Sequence, residues 1–197
     1  MKARPGSLPG ENSLAGESVP VVRAVCLVGF MGAGKSSVGR SLGQRWGWRF
    51  VDLDERIQVR EQRSIEEIFR ESGEAEFRRT EHAALRELLL DIHSSRVVIA
   101  LGGGAFVQAE NTALLEQAGV LSVFLDAPVE ELFRRCQEQA LDRPLRRDAE
   151  QFRRLHEARR PSYMAAVLRF ETSGKDVDTV AAELATSLEL RWSGVVK

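Results

Sequence analysis

The stretch Gly29-Phe30-Met31-Gly32-Ala33-Gly34-Lys35-Ser36 decides the fold of this chain. It matches the pattern GxxxxGK followed by Ser or Thr, in which glycines let backbone N–H groups surround a polyphosphate at a helix N-terminus. The apolar run VVRAVCLV over 21–28 precedes it and predicts a buried strand, and a helical pattern over 35–46 follows. Because the motif lies between a strand and a helix, we interpret it as a phosphate-binding loop rather than a glycine-rich turn with an incidental lysine.

The motif assigns chemical roles to individual residues. Lysine is rare in this chain, at 4 of the 28 basic residues, so Lys35 at the motif position is informative. We expect Lys35 to neutralise the β- and γ-phosphate oxygens and the Ser36 hydroxyl to bind Mg²⁺. The residues predicted to bind the phosphates of the nucleotide are Gly32, Ala33, Gly34, Lys35, Ser36 and Ser37.

Strand and helix patterns alternate outward from this loop. Further strands are predicted at 49–52, 96–101, 120–126 and 167–171. The clearest further helices are predicted near 64–72, where Ser64 and Glu67 form a capping box, over 74–92 and over 177–188. Alternating strands and helices imply right-handed crossovers and a parallel sheet covered on both faces. The predicted fold class is therefore α/β, with five parallel strands flanked by helices and ligands at the carboxyl ends of the strands.

Composition predicts one globular domain of 197 residues, 43% of them hydrophobic, with a net charge of −1 that gives no general attraction to nucleic acid or membranes. Residues 1–20 are rich in proline and glycine, so we predict a disordered tail there, a domain over 21–190 and a second tail over 191–197. No apolar run is long enough to span a bilayer, and no secretory signal pattern is present, so we expect a soluble, cytoplasmic protein. Cys26 and Cys136 are interpreted as structural.

Two acidic residues lie at the end of the second predicted strand. If the chain stays extended, the i, i+2 spacing of Asp52 and Asp54 places both carboxylates on one side, at the carboxyl edge of the sheet. One could orient a water bound to Mg²⁺, and the other could accept a proton from an attacking hydroxyl. The alternative is that Asp54 caps the helix that follows.

The third predicted strand leads into Gly102-Gly103-Gly104, where no side chain blocks a ligand from the backbone. A flexible connection is the alternative interpretation. Arg78 adjoins Phe77 on the buried face of the long helix and could reach into a cleft, although arginine at such a position is more often solvent-exposed.

Two further segments are rich in arginine. Residues 139–149 are predicted to form a mobile lid that carries Arg143 toward the transferring phosphoryl group and excludes water. A basic surface or a nucleic-acid patch is the alternative, weakened by the scarcity of aromatic residues there. Arg159 and Arg160 end a helical segment and together could hold a carboxylate.

Taken in order, the phosphate loop, the Asp-x-Asp pair, GEAEFR over 73–78, the GGG turn, Arg-Pro-Leu over 143–145 and Arg-x-Pro-x-Tyr over 159–163 resemble the shikimate kinases. The resemblance covers about residues 21–190. It implies a nucleoside-monophosphate-kinase-like α/β fold, transfer of the γ-phosphate of ATP to the 3-hydroxyl of shikimate, and Mg²⁺ as the metal. It further implies that shikimate and ATP are the ligands, with no nucleic-acid or membrane partner, and we expect a monomer.

The same resemblance implies a role for each matching residue. Asp54 would face the ring hydroxyls as a base, and Arg78 and Arg159 would hold the carboxylate. Lys35 and Arg143 would stabilise the phosphoryl group, Ser36 would bind Mg²⁺ directly, and Asp52 would bind it through water. The residues expected to bind shikimate are Asp54, Arg78, Gly102, Gly103, Gly104 and Arg159. Candidates for contact with adenine are Arg135 and the segment Thr172-Ser173-Gly174.

Two positions depart from the usual family pattern, Arg146 in the lid and Ser162 in place of leucine. Neither departure removes a charged group, so we expect activity. Two other functions compete with this one: a kinase for a different hydroxylated acid such as gluconate, and an ATP-binding domain without turnover. The combined presence of Asp54, Arg78 and Arg159 favours the shikimate kinase, because a module that binds only ATP needs no groups for an acceptor.

Overall fold

The computed structural model describes residues 22–138 and 148–193. The strands are β1 (Ala24–Val28), β2 (Arg49–Asp52), β3 (Val97–Ala100), β4 (Leu121–Asp126) and β5 (Leu168–Glu171). The helices are α1 (Lys35–Trp46), α2 (Leu53–Glu61), α3 (Ile65–Leu90), α4 (Ala109–Gln117), α5 (Val129–Glu138), α6 (Ala149–Tyr163) and α7 (Val177–Trp192). The strands form one parallel sheet in the order β2-β3-β1-β4-β5, which confirms the predicted fold class.

The central strand β1 explains why its sequence is continuously apolar. It pairs with β3 and with β4, so that Cys26 lies opposite both Ile99 and Ser122, and all five of its residues are buried. A parallel strand covered on both faces has no polar side to present. Burial raises the pKa of the Cys26 thiol, which keeps the thiol protonated inside the sheet. The loop that follows β1 therefore starts from a buried strand that is paired on both sides.

Helix α3 confirms the prediction of two helical segments that meet near Gly73. The structure has one helical run from Ile65 to Leu90, broken at Gly73, whose φ of 78° and ψ of 171° are not helical. The predicted capping box at its start is present, with Ser64 and Glu67 each bonding the backbone N–H of the other. The kink lets the second half of α3 follow its own axis, and that half carries Arg78 toward the carboxyl edge of the sheet.

At the amino edge of the sheet, the three tryptophans of the chain pack together. The ring centroids of Trp46 and Trp48 are 4.8 Å apart, and those of Trp46 and Trp192 are 5.0 Å apart. The Trp46 indole N–H donates to Glu189 over 2.7 Å. We call these three residues the tryptophan cluster; it joins the end of α1 to the end of α7. Within the described residues, no helix is long and apolar enough to cross a membrane.

Candidate active site

The phosphate loop lies between β1 and α1 and contains Gly32, Ala33 and Gly34. Gly34 is the N-cap of α1, with φ of 83°, and as a glycine it offers no side-chain oxygen to the first turn. The N–H groups of that turn, including those of Ser36 and Ser37, are thus available to an anion. The Lys35 ammonium donates to the carbonyl oxygens of Gly29 (2.9 Å) and Phe30 (3.0 Å), so its charge lies across the loop. The loop has the geometry that the motif predicts.

Asp52 faces the phosphate loop. The Ser36 hydroxyl donates to its Oδ2 over 2.5 Å, while its Oδ1 accepts from the backbone N–H groups of Asp54 (3.0 Å) and Glu55 (3.4 Å). Asp52 is therefore the N-cap of α2, and the alternative that Asp54 caps this helix is wrong. The expected extended conformation of the pair is also wrong, because the strand ends at Asp52 and the helix begins at Leu53.

Asp54 nevertheless reaches the same edge of the sheet from the first turn of α2. Its carboxylate lies against Gly102, which follows the neighbouring strand β3, and a Cβ on Gly102 would overlap its Oδ1. The glycine turn is thus a place of close approach and not a flexible connection. This contact places an acid directly beside the exposed backbone of residues 102–104.

Arg78 meets the same turn from α3. A Cβ on Gly104 would lie 2.5 Å from its Nη2, so the guanidinium also needs glycine here. With its side chain 17% exposed, Arg78 is not the solvent-exposed residue of the alternative interpretation. Its Nη1 donates to Glu81 over 2.8 Å, and its Nη2 donates to Glu74 over 3.2 Å.

Glu81 is a residue that the sequence reasoning missed. It is 1% exposed, and burial raises the pKa of its carboxyl, although Arg78 opposes that shift. Its Oε1 has no hydrogen-bond partner within the described part of the chain. The available signal was its spacing, because Glu81 follows Phe77 by four residues and so lies on the apolar face of α3. An acid at such a position indicates a buried partner.

The end of α6 places two further side chains, those of Arg159 and Tyr163, beside the glycine turn. The Tyr163 hydroxyl donates to the carbonyl oxygen of Gly103, and burial raises the pKa of Tyr163 to about 12, so the hydroxyl remains a donor. An Arg159 Nη1 lies 3.7 Å from the position of a Cβ on Gly103. Arg160, expected to act with Arg159, instead donates to Asp126 over 2.8 Å, so the prediction of a paired clamp is wrong.

The remaining candidates lie on the other side of β1 or outside the described residues. Arg135 on α5 donates to the carbonyl oxygen of Thr172, so it and the segment 172–174 do lie together. Arg143 and Arg146 are outside the described residues. So is the predicted lid, apart from Asp148, which is the N-cap of α6, and Ala149, which begins that helix.

The fold and site together define a class: a P-loop protein that has, beside its phosphate loop, an acid and two arginines around a glycine turn. Such a set of groups suits an acceptor with hydroxyls and a carboxylate.

Comparison with known proteins narrows this class. The family model described as shikimate kinase matches residues 31–189. A shikimate kinase of Geobacter metallireducens is 46% identical over 173 residues, which cover 86% of this chain and 94% of the relative. The structure of Aquifex aeolicus shikimate kinase superposes with a TM-score of 0.74 and 35% identity, covering 85% of this chain and 97% of that chain. The structure of the Acinetobacter baumannii shikimate kinase in complex with shikimate superposes with a TM-score of 0.76 and 32% identity. The match covers 90% of this chain and 97% of that chain.

The chain belongs to the shikimate kinase family. Its reaction is the transfer of the γ-phosphate of ATP to the 3-hydroxyl of shikimate, which gives shikimate 3-phosphate and ADP, a step toward chorismate and the aromatic amino acids. This result sets aside a gluconate kinase and a silent ATP-binding domain.

Proposed function

We propose that shikimate binds at the carboxyl ends of β2 and β3, against the glycine turn. The observation that carries this proposal is the convergence of Asp54, Arg78 and Arg159 on residues 102–104, where added Cβ atoms at Gly102 and Gly104 would collide with the acid and the guanidinium. The two guanidinium groups can bind the carboxylate of shikimate, and the carboxylate of Asp54 can accept hydrogen bonds from its hydroxyls. The Acinetobacter baumannii relative was solved in complex with shikimate, which supports shikimate as the ligand of this site.

In this arrangement Asp54 acts as the base. Its carboxylate takes the proton of the 3-hydroxyl as that oxygen attacks the γ-phosphorus, and ADP leaves with the electrons of the broken bond. Lys35 spreads its charge over the phosphate oxygens, where negative charge develops. The family resemblance gives Arg143 the same role, and that role stays a prediction.

Glu81 has a supporting part in the proposed site. Its Oε2 accepts from Arg78 at 2.8 Å, which fixes the guanidinium edge that faces the turn. Because Glu81 is buried and Arg78 is half-buried, we expect the guanidinium of Arg78 to be held in one orientation before the substrate carboxylate binds.

We also propose that Ser36 binds Mg²⁺ directly and that Asp52 binds it through water. The two side-chain oxygens are 2.5 Å apart, and oxygen ligands of this kind suit a hard cation. Within the described ranges there is no group of three or more His, Cys, Asp or Glu side chains that could hold a metal, so phosphate and water oxygens would complete the coordination. When bound, the ion neutralises charge on the phosphates.

The metal assignment is tested by the Mg²⁺ dependence of the rate. Ser36→Ala and Asp52→Asn should each raise the Mg²⁺ concentration that gives half-maximal rate, while the KM for shikimate stays near the wild-type value. Asparagine retains the N-cap of α2, so Asp52→Asn separates metal binding from folding. Ser41→Ala, on the same helix as Ser36, is the matched control. An unchanged Mg²⁺ dependence in both variants would contradict the assignment.

The acceptor assignment is tested by a crystal structure with ADP and shikimate. We expect the substrate carboxylate within hydrogen-bond distance of Arg78 and Arg159, and the ring hydroxyls toward Asp54. A substrate bound elsewhere would overturn it. The monomeric state, the cytoplasmic location and the domain limits stay predictions, and sedimentation velocity tests the first of them.

A further inference from the structure

The phosphate loop, which follows the central strand β1, divides the carboxyl edge of the sheet into two parts. The proposed acceptor groups lie at β2 and β3, on one side of the phosphate loop, while β4 and β5 lie on the other side. A nucleotide whose phosphates occupy the loop after β1 therefore extends its base toward β4 and β5. This step rests on the proposed function, since it uses the proposed position of shikimate.

Helix α5, which follows β4, contacts the phosphate loop at Gly32. A Cβ on Gly32 would lie 2.5 Å from the carbonyl oxygen of Leu132 and 2.9 Å from the Sγ of Cys136, and both residues belong to α5. Arg135 is therefore on the helix that borders the loop. It is also close enough to β5 to donate to the segment that follows that strand, over 2.8 Å to the Thr172 carbonyl oxygen.

The segment 172–174, which we call the base-side loop, is fixed to β4. The Thr172 N–H and hydroxyl both donate to the carbonyl oxygen of Asp126, over 2.8 Å and 3.1 Å. The base-side loop and α5 thus border the same space beside the phosphate loop, and each comes from a different strand of the sheet.

One carboxylate joins these two elements. Glu131 accepts through Oε1 from the Arg135 Nη2 (2.7 Å) and the Gly174 N–H (3.1 Å), and through Oε2 from the Ser173 hydroxyl (2.6 Å). The side chains of Glu131 and Arg135 are 16% and 19% exposed. The hydrogen bond from Ser173, followed by those from Gly174 and Arg135, holds the pKa of Glu131 below its ordinary value. The carboxylate is therefore ionised at neutral pH.

These contacts decide which part of Arg135 is available. Its Nη2 donates to Glu131 and to Thr172, and its Nη1 donates to the Thr172 hydroxyl over 3.4 Å, so the edge of the guanidinium is occupied. The flat faces of a guanidinium stack on aromatic rings. A guanidinium held by its edge presents such a face in a fixed orientation.

We propose that Glu131 is a positioning residue for the nucleotide base: it orients Arg135 for stacking on the purine ring and holds the base-side loop against α5. Glu131 touches neither the phosphates nor shikimate in this account. Its contribution is confined to the part of ATP that tripolyphosphate lacks.

Calorimetric titration with Mg²⁺-ADP and with Mg²⁺-tripolyphosphate tests this proposal. Glu131→Ala should raise the Kd of ADP about tenfold or more, the change that loss of an oriented contact gives, and leave the Kd of tripolyphosphate within about twofold. In steady state, the KM for ATP should rise while the kcat and the KM for shikimate stay near wild type. Glu131→Gln, which retains the acceptor oxygen, should give an intermediate ADP affinity.

Glu138→Ala is the matched control, because Glu138 forms the other i, i+4 pair with arginine on α5, with Arg134, and its side chain is 60% exposed. This variant should bind both probes as the wild type does. Thermal unfolding is measured in parallel for every variant. If Glu131→Ala does not fold, Ser173→Ala removes one of the three donors and should produce a smaller loss of affinity that is still specific to ADP.

The outcomes separate the possible errors. Equal losses of affinity for ADP and tripolyphosphate would overturn the proposal, because Glu131 would then support the phosphate loop or the fold. If Arg135→Ala weakens ADP selectively and Glu131→Ala does not, the base lies at Arg135 but Glu131 does not position it. If neither variant affects ADP selectively, the base is not on this side and the proposed division of the site is wrong as well.

Discussion

The carboxyl and amino edges of the same sheet are built in opposite ways. At the carboxyl edge, three consecutive glycines face the acid Asp54 and the half-buried Arg78, which is paired with the buried Glu81. At the amino edge, the tryptophan cluster packs ring against ring, with Trp48 and Trp192 nearly parallel at 5.6 Å. Glycine runs and buried charges lower stability, whereas aromatic packing raises it. One edge is therefore shaped for ligands at a cost in stability that the other edge helps to offset.

This contrast predicts that substitutions at the two edges separate activity from stability. The largest effect is expected at Asp54. Asp54→Asn removes the proposed base, so kcat should fall about 10²- to 10⁴-fold while the KM for ATP changes little. Steady-state kinetics with both substrates measure this. Glu55→Gln changes the adjacent, exposed carboxylate and serves as the control. An Asp54→Asn enzyme with wild-type kcat would remove Asp54 from the chemistry.

The next effect is expected at Arg159, again on activity. Arg159→Ala removes a charged hydrogen bond to the substrate carboxylate, so the KM for shikimate should rise about 10- to 100-fold. The KM for the methyl ester of shikimate, which lacks the charge, should change far less. Arg154→Ala, on the same helix with an exposed partner, is the control. If the acid and the ester lose affinity equally, Arg159 does not bind the carboxylate.

At the amino edge the same kind of change should act on stability alone. Trp192 is half-buried, so Trp192→Ala should lower the free energy of unfolding by about 2 kcal/mol, less than for a fully buried tryptophan. The kcat and both KM values should stay at wild-type levels at 25 °C. Urea unfolding and steady-state kinetics measure the two quantities. Leu190→Ala on the same helix, 41% exposed, should cost about 0.5 kcal/mol or less. Lost activity in a folded Trp192→Ala protein would break the contrast.

The smallest effect is the pH dependence of stability contributed by Glu81. Burial raises its pKa above the ordinary 4.5, so the folded state binds this proton more tightly than the unfolded chain does. The free energy of unfolding of the wild type, minus that of Glu81→Gln, should therefore fall as the pH rises from about 4.5 through the raised pKa. Urea unfolding of both proteins between about pH 4.5 and 8 measures it. A difference that rises with pH would mean that the carboxylate is stabilised by Arg78 more than burial penalises it.

Local sequence signals were sufficient for the strands and the phosphate loop. The run over 21–28 and the motif around Lys35 each contain their structural information within about ten residues. The order of the motifs identified Asp54, Arg78 and the glycine turn. The structure places these groups next to one another. The extended conformation predicted for Asp52 and Asp54 was wrong because the helix begins at Leu53, directly after the strand, so that Asp52 caps it and Asp54 lies in its first turn.

Features that depend on tertiary contact could not be predicted. The spacing of Glu81 after Phe77 indicates that it lies on the buried face of α3, but the contacts that cover this face come from other elements, α2 and α4 among them. Arg160 was expected beside Arg159, but two consecutive helical positions point in different directions, and Asp126 binds it. The tryptophan cluster joins residues at both ends of the chain. Such contacts arise from how the elements pack, not from their local periodicity.

ADP release shows whether the glycine turn with Asp54, Arg78 and Arg159 is the acceptor site for shikimate. The purified protein is given Mg²⁺-ATP with no acceptor, with shikimate or with gluconate, and the same measurement is made on Arg159→Ala. We predict release that depends on shikimate in the wild type and is restored in the variant only at much higher shikimate concentrations. Release with gluconate alone, or a variant with the wild-type dependence on shikimate, would contradict the account.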